Sequence, residues 1–235
     1  MQIVLLPGVG ADRRLFDSLG QAGQGVVVPG WPEPKPAETL ADYAARWAAE
    51  GRWATPLIVG GSSFGGMVAV ELARHLHPAA VVLIGSCLHP SEIAQPLRFL
   101  RPLARVLPVP PLPTIGPAAS VLTWYFGATS PATRQLFLEM LRGTSLAFLA
   151  WAIRAIASWD PAPLLTIPVR RIHGSRDRLI SCPRAADVVV EGAGHLLPIT
   201  HIDSLAAFLT ETTAAARSTA GDGPEQLAKV RPDAP

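Results

Sequence analysis

The chain is short of cysteine, of charge imbalance and of long apolar runs. Only two cysteines occur among 235 residues. Cys87 and Cys182 lie far apart with no Cys-x-x-Cys, so neither a zinc ribbon nor a disulfide framework can be built from them. A reducing compartment fits that pattern, and the expected location is cytoplasmic. Lysine and arginine total 20 against 18 aspartate and glutamate, a formal net charge of +2. That is too small for the basic footprint nucleic-acid binding leaves. Gly, Pro or charge interrupts every apolar stretch before the ~20 residues that span a bilayer. No positive residue precedes Arg13, so the start lacks the basic segment of a secretory signal. The expectation is a soluble protein with neither nucleic acid nor membrane as partner.

What is plentiful is apolar surface and backbone punctuation. Hydrophobic residues make up 49% of the chain, and single cores run to roughly 250 residues before chains split. One large domain, or a core with a lid, follows. The 24 prolines and 20 glycines stay below the ~25–30% that marks disorder and imply many breaks between compact elements.

Strand and helix signals alternate at the N-terminal end, which predicts a parallel sheet with helices on its faces. Gln2 to Leu6, Gly25 to Val28, Leu57 to Val59 and Val81 to Ile84 read as strands. Asp12 can cap a helix carrying Leu15, Phe16 and Leu19. Thr39, three residues before Asp42, caps another with Leu40, Tyr43, Ala44 and Trp47 on one face. Phe64 to about His75 reads as a buried helix. Between Cys87 and Trp159 the alternation stops, and helical segments are expected over Leu97 to Leu107, Ala132 to Arg142 and Leu146 to Ser158. Strand patterns resume at Val169 to Ile172 and Asp187 to Val190. Thr200, with Asp203 three positions on, is expected to cap a last helix bearing Ile202, Leu205 and Leu209. The segment from Ser218 to Pro235 has too few large apolar residues to offset ordering entropy and reads as a disordered tail.

Gly61-Ser62-Ser63-Phe64-Gly65 is a Gly-x-Ser-x-Gly between an apolar strand and a helix. Glycines flanking such a turn let the chain reverse sharply, hold the serine in a strained conformation and lift its hydroxyl clear of the sheet. The helix starting at Phe64 aims free N–H groups and a positive dipole end at the place where an oxyanion would form. A serine hydroxyl needs a base and an orienting acid. Asp177 follows the strand at 169–172 in His173-Gly174-Ser175-Arg176-Asp177, and His195 follows the strand at 187–190 in Gly192-Ala193-Gly194-His195. Both loops lie at carboxyl ends of strands, where ligand sites of open α/β sheets gather. The order Ser, Asp, His is the one used with this turn. His201 is a rival base, His173 reads as structural, Asp12 reads first as a helix cap, and Cys182 beside Asp177 reads as incidental.

These motifs, with Leu5-Leu6-Pro7-Gly8-Val9-Gly10 near the start, resemble those of the α/β-hydrolase superfamily, specifically its lidded esterase-like branch, similar to carboxylesterases and acyl-carrier methyl esterases. The resemblance covers roughly residues 1 to 216. It implies a mostly parallel, doubly wound sheet of about six strands without the usual first hairpin. Core residues would be 1–87 and 160–216, a helical lid 88–159, and a disordered tail 217–235. It also implies a nucleophile at Ser63, an acid at Asp177, a base at His195 and an oxyanion hole from the N–H groups of Val9 and Phe64. Pro7 and Ser62 stand where many relatives carry histidine, which bears on substrate class.

The expected activity is hydrolysis of a carboxylic ester of an apolar or aromatic small molecule through an acyl-enzyme, with no metal or organic cofactor required. A thioesterase, a carbon–carbon bond hydrolase or lyase with the same triad, and a non-catalytic small-ligand binder remain alternatives. Lid aromatics Trp124, Tyr125, Phe126 and Trp151 are candidate pocket walls, with Phe137, Met140 and Phe148 near them in sequence. Arg98, Arg101 and Arg105 share a helical face that reads mainly as solvated, with acyl-carrier docking as the alternative. Monomer and homodimer are both open.

Overall fold

The computed structural model describes residues 1–21, 23, 25–104, 119–161 and 166–221. Its strands are β1 (Gln2–Leu6), β2 (Val26–Val27), β3 (Leu57–Ser62), β4 (Ala80–Ile84), β5 (Val169–Gly174) and β6 (Val188–Val190). They form one six-stranded sheet in the order β2-β1-β3-β4-β5-β6, and every neighbouring pair is parallel. The helices are α1 (Asp17–Gln21), α2 (Leu40–Glu50), α3 (Phe64–Leu76), α4 (Gln95–Ala104), α5 (Ala119–Tyr125), α6 (Pro131–Gly143), α7 (Leu146–Ser158), α8 (Leu197–Thr200) and α9 (Ile202–Gly221).

Continuous apolar strands are what a sheet covered on both faces requires, because successive side chains point to opposite sides. Val4, Leu6, Leu57, Val59, Val81 and Leu83 enter one core, where they meet α2, α3 and α7. Ile3, Leu5, Ile58, Val82, Ile84 and Ile172 enter the other, where they meet the Arg13–Phe16 turn, α6 and α9. Each such side chain, fully buried, contributes about 1.5–3 kcal/mol. Capping follows local chemistry: Asp12 accepts from the Arg14 N–H, Thr39 from Asp42 and Ser145 from Phe148.

Among the described residues, four α-helices, α4 to α7, stand between β4 and β5. The first is predicted over residues 97–107 but occupies Gln95–Ala104 with Pro102 inside it; residues 105–107 lie outside the described residues. Helix α5 has no counterpart in the sequence reading. Its run Ala-Ser-Val-Leu-Thr-Trp-Tyr is short and rich in residues of modest helix propensity, and Thr123 turns its hydroxyl back to the Ala119 carbonyl at 2.8 Å.

The C-terminal end corrects two expectations. Thr200 closes α8 instead of capping α9, because its hydroxyl donates back to the Leu196 carbonyl at 3.1 Å rather than accepting from Asp203. Helix α9 runs to Gly221, past the boundary expected at residue 216, and buries Leu205, Phe208, Leu209, Thr212 and Ala216. Residues 222–235 of the expected tail lie outside the described residues. Among the described residues, no single helix is long and apolar enough to cross a membrane.

Candidate active site

With the order β2-β1-β3, the chain leaves β1 toward one edge of the sheet and β3 toward the other. Such a reversal opens a crevice at the carboxyl ends of the two central strands. Ser63 follows β3 there directly, and Pro7-Gly8-Val9 follow β1, whose Leu6 lies in register with Gly61. Ser63 has φ 53° and ψ −122°, a strained conformation for a residue with a side chain. Two glycines make it reachable. A Cβ on Gly65 would come within 2.2 Å of the Leu6 carbonyl oxygen, and one on Gly61 within 2.7 Å of the Gly65 carbonyl oxygen.

The strained residue is held from both sides. Its N–H donates to the Ile84 carbonyl at 3.1 Å, and its carbonyl accepts from the Gly66 N–H at 3.0 Å. The Ser86 hydroxyl also donates to that carbonyl, at 2.6 Å. Sequence reasoning passes over Ser86, and no local pattern exposes it, because it acts across two strand ends.

Asp177 and His195 come together from the loops after β5 and β6. Nδ1 of His195 stands 2.6 Å from Oδ2 of Asp177, and both side chains are buried. The other carboxylate oxygen accepts from the Leu179 and Ile180 N–H groups at 2.8 and 3.0 Å. His173 lies beneath, its Nε2 2.9 Å from the Ile180 carbonyl and 3.4 Å from Oδ2 of Asp177. Burial opposes charge on Asp177, but His195, the His173 ring N–H and the Ile180 N–H outweigh it and hold the carboxyl well below the usual carboxylate range. An ionised carboxylate only accepts, so Nδ1 of His195 carries a proton, and in the neutral ring Nε2 presents its lone pair. That Nε2 is buried with no hydrogen-bond partner. His195 lines a small cavity together with Ser63, Gly8, Val9 and Phe126.

The neighbourhood leaves little room for a side chain at the end of β4. A Cβ on Gly85, where φ is +50°, would sit 3.3 Å from Oδ2 of Asp177 and 3.8 Å from Nδ1 of His195. Phe64 opens α3, so its N–H belongs to the first turn and has no intrahelical acceptor. Val9 borders both the small cavity and a larger groove of about 370 Å³ that also reaches Ser63.

The other residues singled out in the sequence fall elsewhere. Of the four candidate pocket aromatics only Phe126 lines the groove. Trp124 is 55% exposed and stacks under the Arg178 guanidinium at 4.0 Å, with Tyr125 packed edge-on against it. Trp151 is core: its ring meets Tyr43 and Phe64, and its N–H donates to the Glu38 carbonyl. The walls are aliphatic instead, among them Met67, Ile93, Leu97, Ile156 and Ile180. Phe137 borders the small cavity, whereas Met140 and Phe148 pack into the cores. His201 ends α8 beside the Thr200 hydroxyl at 2.8 Å. Burial pushes the Cys182 thiol up, which keeps it protonated. Arg98 donates to the Ser91 carbonyl; the Arg101 side chain and Arg105 lie outside the described residues. Among the described residues no cluster of three His, Cys, Asp or Glu is arranged to hold a metal ion.

A parallel, doubly wound sheet with a strained serine at the switch point and a buried His–Asp pair beside it defines a class of fold. The chain belongs to the alpha/beta hydrolase family, whose model matches residues 3–208. Solved structures similar to it include the RedJ thioesterase of the prodiginine biosynthetic pathway in Streptomyces coelicolor, with 18% identity over 89% of each chain and a TM-score of 0.58. YbtT, a type II thioesterase from the yersiniabactin NRPS/PKS pathway, shares 22% identity over 92% of this chain and 93% of that one, with a TM-score of 0.60. E-2-(acetamidomethylene)succinate hydrolase shares 18% identity over 89% of this chain and 90% of that one, with a TM-score of 0.60. At these identities the likeness is one of fold. A search of curated proteins finds no match.

Proposed function

We propose that the protein is a serine hydrolase that cleaves a carboxylic ester of an apolar small molecule through an acyl-enzyme on Ser63. The observation that carries this reading is the buried, unpartnered Nε2 of His195, whose ring is held through Nδ1 by Asp177 at 2.6 Å and which shares a cavity with Ser63. Nε2 takes the Ser63 proton as Oγ bonds to the ester carbonyl carbon, and the Val9 and Phe64 N–H groups receive the oxyanion. The proton then passes to the departing alkoxide as the carbon–oxygen bond breaks. Water adds to the acyl-enzyme, gives its proton to His195 and releases the carboxylic acid while Ser63 regains its own. Asp177 holds the tautomer and the imidazolium throughout. Helices α4 to α7 act as a lid over the groove, and two cysteines outside any disulfide fit a cytoplasmic location.

Labelling with a fluorophosphonate, read by mass spectrometry beside a Ser63→Ala control, tests the nucleophile. Modification confined to Ser63, with turnover of an aryl ester, is the expected result. No labelling, with tight ligand binding and no turnover, would mark a non-catalytic binder instead. A thioester substrate is a second reading, suggested by the thioesterases RedJ and YbtT among the fold relatives. Oxygen and sulfur esters of one acyl group, compared by kcat/KM, separate the two.

A further inference from the structure

The groove beside Ser63 carries information about the acyl group. Among the described residues that line it, Ser63 supplies the only polar side chain, and Phe126 is the only aromatic. The remainder are aliphatic and come from five parts of the chain: Val9, Met67, residues 93–100, residues 153–157 and residues 179–180. Met67 on α3 is buried near Ser63, and Ile93 and Ile180, an antiparallel bridge pair, form the floor. Beyond them α4 presents Leu97 and Leu100, and α7 presents Ile153 and Ile156. Each of those pairs is spaced three residues apart, which places both members on one helix face. Leu100 is 53% exposed whereas Met67 is 2% exposed, so the groove runs from a closed end at the reacting serine to an open end between the two helices.

Resting on the serine-hydrolase reading, we propose that this groove receives the acyl part of the substrate as an unsubstituted, medium-length aliphatic chain, with Leu97, Leu100, Ile153 and Ile156 setting its length. A volume of about 370 Å³ holds about a dozen groups at roughly 30 Å³ each, the share of a water molecule. Chains of about eight to twelve carbons therefore fill it. Aliphatic walls gain from each methylene removed from water and discriminate little in detail. They offer no partner to a charge or a hydrogen-bonding group, so an acyl chain ending in a carboxylate would be stripped of water without compensation.

The test is a kcat/KM series on p-nitrophenyl esters from two to sixteen carbons, with a half-acid ester bearing a terminal carboxylate at matched length. In the wild-type protein kcat/KM is expected to rise about fourfold per methylene, to level off near eight to twelve carbons, and to fall at least a hundredfold for the carboxylate. In Ile156→Trp and Ile153→Trp the plateau should move to shorter chains, with the ratio of ten-carbon to acetate kcat/KM down at least tenfold from wild type. The rate of Ser63 labelling by a small fluorophosphonate confirms that each variant keeps a folded site. Normal labelling and acetate turnover with no dependence on chain length, or tolerance of the carboxylate, would overturn the acyl-groove proposal alone. Absence of both labelling and acetate turnover in the wild type would instead overturn the serine-hydrolase reading.

Discussion

The ring of Phe126 meets the imidazole of His195 edge-on, with centroids 5.4 Å apart and planes at 80°. The Phe126 carbonyl also accepts from the Leu196 N–H at 3.1 Å. Gly127 comes so close to the same loop that a Cβ on it would lie 2.9 Å from the Gly194 Cα. The turn after α5 and the histidine loop are therefore in direct contact. Phe126→Ala keeps the backbone bond and removes the ring. Expected is a loss of about tenfold or more in kcat/KM, since small misplacements of a reacting group are costly, with about 2 kcal/mol of stability lost. Ester kinetics beside urea denaturation check it; unchanged kinetics would mean that the contact serves packing alone.

Gly85 is a test of crowding at the Asp177–His195 pair. Alanine there must adopt φ near +50° and place a methyl 3.3 Å from the carboxylate. The backbone strain costs about 1–2 kcal/mol, while displacement of Asp177 should lower kcat by at least tenfold. Thermal melting and steady-state kinetics, read together, distinguish the two effects. A variant that loses stability but keeps wild-type kcat would show that Asp177 tolerates the intrusion.

The proposed roles of Ser63 and Asp177 predict losses of different size. Ser63→Ala should reduce kcat by on the order of 10⁶, and Asp177→Asn by about 10⁴, because the amide favours the wrong imidazole tautomer. Active-site titration guards against trace contamination. Wild-type turnover in Ser63→Ala would remove the mechanism.

Asp177 also ties stability to acid. Its carboxyl is held below the ordinary value of 3.8, so the unfolded chain binds this proton more readily than the folded one. The stabilisation is complete above the unfolded value, near pH 4, and disappears as pH falls through the lower folded value. In Asp177→Asn, the fall in unfolding free energy below about pH 4 should be shallower than in the wild type. Urea unfolding at stepped pH values measures it, and equal slopes would contradict it.

The strands and the serine turn were legible in the sequence because their causes are local. Leu57 to Val59 reads as a central strand from composition alone, and Gly61 and Gly65 flag the steric demands of the residue between them. His195 and Asp177 were legible as loop residues at strand ends, from which a shared location follows. Ser86 and Gly85 were not, because each matters through a neighbour distant in the chain: Ser86 through the Ser63 carbonyl, Gly85 through the Asp177 carboxylate. Thr200 shows a local rule losing to a local competitor, the Leu196 carbonyl one helical turn back.

By itself, the order of residues determined the alternation of strands and helices, the doubly covered sheet and the sharp turn at Ser63, since periodicity and backbone sterics act over a few neighbours. Only the tertiary structure decided which side chains wall the groove. Aromatic content in α5 and α7 is equally compatible with core, surface and pocket. The docking of α7 against α2 and α3 sends Trp151 into the core, Trp124 meets solvent and Arg178, and the aliphatic residues are left beside Ser63.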